Sequence, residues 1–427
     1  MLPFLDELCA RNPNLEVRIL AWDHSLWFVL EREVLQKLSF DLRTSQNFFF
    51  ENDATVSQYG AHHQKVAIID GRVAFLGSAD ICQDRWDTSA HACGNELRVG
   101  RGGKPCKPYH EVQAVVTGEA ARSLVDLFVD RWKDGTGKEL DAQSLVAPGS
   151  PEPDPLPPQT TLAMPLSEIA FYRQYPPRLR REAVREVRDL FTSWIAEAEH
   201  HLYIETQYFT SKAICEALVA RMKDRAKPKL EIVCILPQKP EALKEELAVG
   251  ATQVEVIDVL VRIARENGHA LGIYNVAGLS NDGSEHFVYI HSKMLIVDDR
   301  KLTVGSANLN NRSLTLDSEI NIAWEAKTDD DEVASAIRSL RNRLLREHCA
   351  LELAPWYFDA RGIVGRLDAL ARAERGRLRL HDIRPEEPNV LMKIGQAIAS
   401  AYADPLHAPE SRETPLPFDG PAPSRPG

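Results

Sequence analysis

Two histidines carry the chemistry this sequence offers. His63 is followed by Lys65 and Asp70, and His291 is followed at the same offsets by Lys293 and Asp298. Arg72 then matches Arg300, and Gly77-Ser78-Ala79 matches Gly305-Ser306-Ala307 without a gap; Asp80 falls opposite Asn308. One such triplet is a weak signal, but two with a Gly-Ser at a shared offset mark an internal repeat. A neutral histidine can attack phosphorus, and a protonated one can give its proton to a leaving oxygen. Lysine suits the non-bridging oxygens of a phosphate and the charge of a five-coordinate transition state. Each copy alone is half a site. Two lobes related by a pseudo-two-fold would place both histidines and both lysines around one phosphorus. No carboxylate cluster suggests a metal, so no metal or other cofactor is expected.

The elements that must position these groups follow from strand periodicity. His63 and Lys65 share a face, as do His291 and Lys293, whereas His62 points to the opposite face. Val66-Ala67-Ile68-Ile69 and Met294-Leu295-Ile296-Val297 are continuously apolar, as strands buried on both faces should be. Asp70-Gly71 and Asp298-Asp299 predict tight turns. The returning strands bring Ser78 with Asp80, and Ser306 with Asn308, back beside the histidine and lysine. The glycines are expected to let the main chain approach an anionic ligand.

Other segments predict α/β organisation. Strands are expected at 15–21, 202–209 and 230–236, and helices at 119–132, 180–199, 212–226 and 334–348. The fold class is therefore α/β: two similar α/β/α lobes, mixed sheets flanked by helices, related by a pseudo-two-fold with the active site at their interface. The expected units are a first lobe over 1–133, a proline-rich linker over 134–165, a second lobe over 166–350, a helical extension over 351–403 and a disordered tail over 404–427. The second lobe has a helix and the strand LYIETQYF before its LEIVCIL strand. The first lobe has no room for their equivalents before LEVRIL, so it is expected to lack its initial strand and to be N-terminally incomplete.

The chain has 427 residues, 44% hydrophobic and 26% charged, an ordinary globular balance. A net charge of -11 argues against a uniformly basic nucleic-acid face. Seven cysteines with no C-x-x-C pair fit reduced, mostly buried thiols. The N-terminus carries acids where a signal peptide needs a basic stretch, and no apolar run reaches about 18 residues. The expected location is therefore cytoplasmic or peripheral on a membrane, with no transmembrane segment.

From about residue 15 to residue 350 the sequence resembles the phospholipase D superfamily, whose signature is the paired HxKxxxxD motif. HHQKVAIIDGRVAFLGSADICQDRWD, YIETQYF, GSANLNNRSLTLDSEINI and LFVDRW are similar to blocks of its phosphatidylcholine-hydrolysing branch. The resemblance implies that His63 is the nucleophile, through a phosphohistidine, and His291 the general acid. It implies a phospholipid substrate met at a membrane surface, with water or a small alcohol as acceptor, and no nucleic acid. A downstream carboxylate orients each histidine in the family; Glu111 fits that place in the first lobe and Glu319 in the second. Asp70 and Asp298, though part of the motif, then serve turns and neighbouring hydrogen bonds. Arg85-Trp86-Asp87 reads equally as a surface-loop ion pair or as part of the site, and Glu205 can face the site. A cardiolipin synthase, a nuclease of the same superfamily and an inactive binder are the alternative readings.

Overall fold

The computed structural model describes residues 2–22, 37, 40, 42, 44–56, 60–82, 84–100, 102–147, 161–165, 169–177, 182–240, 243–279, 284–329 and 331–382. Residues 148–160 of the expected linker, 383–403 of the expected extension and the tail from 404 lie outside them.

The second lobe is built on a ten-stranded mixed sheet. Nine of the strands run in the order Glu285–Phe287, Ala270–Leu279, Glu231–Ile235, His201–Glu205, Met294–Val297, Lys301–Gly305, Glu319–Glu325, Ile169–Tyr175 and Val184–Arg185, and the tenth, Leu378–Leu380, pairs with Ala270–Leu279 off that path. His201–Glu205, Glu231–Ile235 and Ala270–Leu279 run parallel. Met294–Val297 joins His201–Glu205 antiparallel and starts the hairpin that carries the second motif. All four of its side chains are buried, each contributing roughly 1.5–3 kcal/mol. Helices Glu186–Glu197, Lys212–Lys223 and Leu243–Asn267 cover one face, where Phe191, Trp194, Leu218 and Leu260 pack on Ile204, Ile232 and Leu295.

The first lobe repeats this order in part. Val17–Trp22 pairs parallel with Phe48–Asp53, as Glu231–Ile235 does with Ala270–Leu279. Val66–Ile69, Val73–Gly77 and Gln113–Thr117 form an antiparallel sheet, matching Met294–Val297, Lys301–Gly305 and Glu319–Glu325. These are two separate sheets. The reason lies in the second lobe, where His201–Glu205 joins the two halves. Among the described residues no first-lobe strand holds that place. Ile69 is accordingly 54% exposed, whereas its counterpart Val297 is buried. The lobes still share a core: Ala74, Leu76, Ala114, Val116 and Leu124 pack in one cluster with Ile290, Met294, Ile320 and Ile337.

Element ends differ from their sequence patterns where a local signal decides. The helix expected to end at Trp132 runs Gly118–Thr136 and stops at Gly137, which takes the left-handed φ of 70°. The helix Glu332–Cys349 starts where the Asp331 carboxylate accepts the N–H of Val333 at 2.9 Å. The strand predicted over 202–209 leaves the sheet after Glu205. Residues 351–382 are not simply helical. After helix Ile363–Arg372, strand Leu378–Leu380 pairs antiparallel with Ala270–Leu279 and joins the sheet. Of the seven cysteines, Cys9, Cys234 and Cys349 are buried, Cys82 is exposed and the rest are partly covered.

Both motif hairpins turn through two successive residues at positive φ, Asp70-Gly71 and Asp298-Asp299. The Asp298 carboxylate accepts the N–H groups of Glu199, His200 and His201 at 2.7, 2.7 and 2.8 Å. It thereby anchors the start of His201–Glu205, which has no first-lobe counterpart among the described residues. Asp70 is exposed. Asp298→Ala should therefore cost about 2 kcal/mol in urea unfolding, through three abandoned backbone donors. Asp70→Ala should cost under about 0.5 kcal/mol. Equal losses at the two positions would contradict this assignment.

Candidate active site

Each motif histidine precedes its hairpin strand and is bonded to the other lobe. The N–H of His63 donates to the carbonyl of Ser318, and that of His291 to the carbonyl of His110, both at 3.0 Å. The residue after each acceptor supplies a carboxylate. Glu319 lies 2.9 Å from His63 Nδ1, and Glu111 lies 2.6 Å from His291 Nδ1. The supports are thus crossed: each carboxylate reaches the histidine of the opposite lobe. A two-residue parallel ladder of Tyr109–His110 with Tyr289–Ile290 sets the register on one side. A bridge between His62 and Ser318 sets it on the other. With Nδ1 engaged by a carboxylate, each ring presents Nε2 for chemistry.

The Gly-Ser pairs serve this arrangement. Ser306 Oγ donates to Glu319 at 2.5 Å, and Ser78 Oγ donates to Glu111. The hydroxyls hold the carboxylates that hold the rings. The glycines admit neighbouring protein, not the ligand that the sequence suggested. A Cβ at Gly305 would sit 2.1 Å from Asn321 Oδ1 and 2.5 Å from the carbonyl oxygen of Ile320. One at Gly77 would sit 2.9 Å from the carbonyl oxygen of Val112.

The lysines also repeat. Lys65 Nζ donates to the His63 carbonyl at 2.9 Å, and Lys293 Nζ to the His291 carbonyl at 2.6 Å. Lys293 is 1% exposed and also donates to Gln207 Oε1 at 3.0 Å. Burial pushes its pKa down to about 7, with Lys65 adding to the effect and Glu111 opposing it. Burial also holds His291 well below its ordinary value, with Lys293 the next cause. The side chain of His63 is 25% exposed. Burial raises the Glu111 carboxyl above its usual range, against Lys293 and Ser78. Asp80 Oδ1 stands 3.2 Å from Lys65 Nζ. Asn308, its counterpart, is buried with Oδ1 unpartnered among the described residues. Asp70 and Asp298 stand at the far ends of their strands, seven residues or roughly 20 Å of extended chain from the histidines.

His62 turns away from this group, toward Asp53 at 3.0 Å and Ser318 at 2.9 Å. Behind His291 lies a network that sequence reading missed. His110 bridges Glu205 at 2.9 Å and Glu347 at 3.0 Å. Burial would lower its pKa, but these two carboxylates raise it well above the ordinary value. Glu347 also accepts from His91, which pairs with Asp87, itself bonded to Arg98. Glu205 therefore engages His110, His348, Tyr203 and Ser292. Four donors fill a carboxylate's acceptor positions, which favours a hydrogen-bonded cluster over a metal centre for this His-Glu group. The signal for it was Glu205 itself, since a carboxylate on a buried strand needs partners. In the RWD triplet, Asp87 organises the loop by accepting the Tyr109 N–H at 2.8 Å. Arg85 lies over the Tyr109 ring, 4.7 Å from its centroid.

Comparison with known proteins agrees with the repeat. The family described as Cardiolipin synthase, PLD-like domain matches residues 191–343, and the family described as Phospholipase D matches residues 33–152. Phospholipase D1 of Schizosaccharomyces pombe is 25% identical over 69% of this chain. Phospholipase D A of Dictyostelium discoideum is 25% identical over 81% of it. The chain spans only 28% and 32% of the lengths of those two relatives. The solved structure of phosphatidylserine synthase from Haemophilus influenzae is 15% identical, with a TM-score of 0.49 over 87% of this chain and 84% of that one.

The position of Lys293 sets an expected pH dependence. Anion binding needs its cation, and the proton is lost as pH rises through about 7. Dimethyl phosphate, a monoanion throughout, should bind up to about tenfold more weakly per pH unit between pH 7 and 9 by calorimetry. Lys293→Met should bind weakly and without that slope.

Proposed function

The chain belongs to the phospholipase D superfamily, and on that premise we propose that it is a phosphodiesterase acting on phosphatidylcholine-like phospholipids. It hydrolyses them to phosphatidic acid or passes the phosphatidyl group to a small alcohol. The observation that carries this reading is the crossed pair of imidazoles, each held at Nδ1 by a carboxylate and each accompanied by a lysine. Two bases of one kind facing one site suit a double displacement at phosphorus.

In the first step His63 Nε2 attacks phosphorus and the P–O bond to the headgroup breaks. His291 Nε2 gives its proton to the departing oxygen. In the second step neutral His291 takes a proton from water or an alcohol, whose oxygen attacks phosphorus. The P–N bond breaks and its electron pair returns to His63. Lys65 and Lys293 neutralise the equatorial oxygens in both steps. Glu319 and Glu111 orient the rings and offset the imidazolium charge of each in turn. No described helix is long and apolar enough to cross a membrane.

The electrostatics favour one second reading, with the roles exchanged. His291 is held neutral in the ligand-free site, as an attacking base should be. A bound phosphodiester between the lysines would oppose that shift, and this keeps His63 as the nucleophile in our reading.

The test supplies phosphatidylcholine with ethanol, and separately single-stranded DNA. Phosphatidylethanol is expected, with a loss of roughly a thousandfold or more in His63→Ala. Acid quenching followed by peptide mapping should find the phosphoryl group on His63. Its recovery on His291 would exchange the roles. DNA cleavage without lipid turnover would sink the lipid reading. Cardiolipin formed from phosphatidylglycerol, without phosphatidylethanol, would favour the synthase.

A further inference from the structure

The histidines, lysines, serines and supporting carboxylates of the two halves match, but one charged position does not. His63 repeats as His291, Lys65 as Lys293, Ser78 as Ser306, and Glu111 as Glu319. Two residues beyond each serine the identity breaks, with Asp80 in one lobe and Asn308 in the other. That difference is one full charge. Asp80 is no distant surface acid. Its Oδ1 lies 3.2 Å from Lys65 Nζ and its Oδ2 3.9 Å from Arg85 Nε, while 36% of its side chain remains open. Burial would raise its pKa, but Lys65, then His291, His63 and Lys293, hold it well below the carboxylate range. The same four groups that would surround a phosphate therefore act on this carboxylate, and it is an anion at any working pH.

Its charge bears unequally on the two kinds of phosphate ester. A phosphodiester carries one negative charge and a phosphomonoester, above its second ionisation, carries two. A carboxylate sharing Lys65 with the ligand repels the second about twice as strongly as the first. We infer that Asp80 sets the ligand charge accepted by the site, admitting the phosphodiester monoanion and rejecting the phosphomonoester dianion that hydrolysis releases. Asn308 preserves the shape of the opposite position without the charge. This inference rests on the phosphodiesterase reading and adds to it a means of product release.

Calorimetry on the full chain tests it at pH 8, with dimethyl phosphate as the monoanion and methyl phosphate as the dianion. Asp80→Asn is expected to tighten methyl phosphate by on the order of tenfold or more, and dimethyl phosphate by about threefold or less. Asp80→Ser should act in the same direction, and thermal unfolding identifies any variant that has lost its fold. A second arm follows pH. The preference for dimethyl over methyl phosphate should grow more in the wild type than in Asp80→Asn as pH rises from 5.5 to 7.5 and methyl phosphate loses its second proton. The variant corrects for titration of Lys293, whose charge weighs about twice as much on a dianion. Equal tightening of both ligands, or the same pH trend in both proteins, would overturn the role of Asp80. Failure of the wild type to bind dimethyl phosphate at all would instead count against the phosphodiesterase reading.

Discussion

The crossed hydrogen bonds between histidines and carboxylates are the constraint on which the rest of the site depends. Glu319 must reach His63 and Glu111 must reach His291, so neither lobe can finish its own half. The requirement extends outward. The histidine N–H groups bond to the carbonyls of Ser318 and His110, the serines bond to the carboxylates, and Gly77 and Gly305 allow the next strand to come close enough. A shift of one residue at either bridge would turn the carboxylate to the other face of its strand.

The sequence made some levels of this structure legible and concealed others. The apolar run Met294–Val297 and the repeated offsets foretold both hairpins, because strand periodicity and turn chemistry are local properties. The crossing was hidden, since His63 and Glu319 are 256 residues apart and His291 and Glu111 are 180 apart. Alignment within a lobe cannot say which lobe a side chain will touch. The glycines were misread because the repeat showed that they matter without showing what comes close. Leu378–Leu380 escaped notice because three residues have no measurable period. The two first-lobe sheets stay separate because, among the described residues, none of their strands takes the place that His201–Glu205 holds in the second lobe.

The two lobes differ in the depth of their foundations. His291 rests on a buried chain of imidazoles and carboxylates running from Arg98 through Glu347 to Glu205. Such a network is rigid only when every member is satisfied. His63 rests on a lighter frame, with His62, Asp53 and Ser318 behind it and more of its ring open. Chemically matched residues therefore sit in unequal dielectric surroundings, which explains why burial depresses the pKa of His291 so strongly.

Crossing also has a consequence for symmetry. Two identical copies of either half could supply one another's carboxylates and so build a site from a homodimer. Such an assembly would be bound by its two-fold axis: every side chain on one side would recur on the other. A single chain containing both halves is free of that obligation. It can place aspartate at one of two equivalent positions and asparagine at the other, and set one histidine deeper than its twin. Joining the halves in one polypeptide is thus what allows two like residues to become unlike partners.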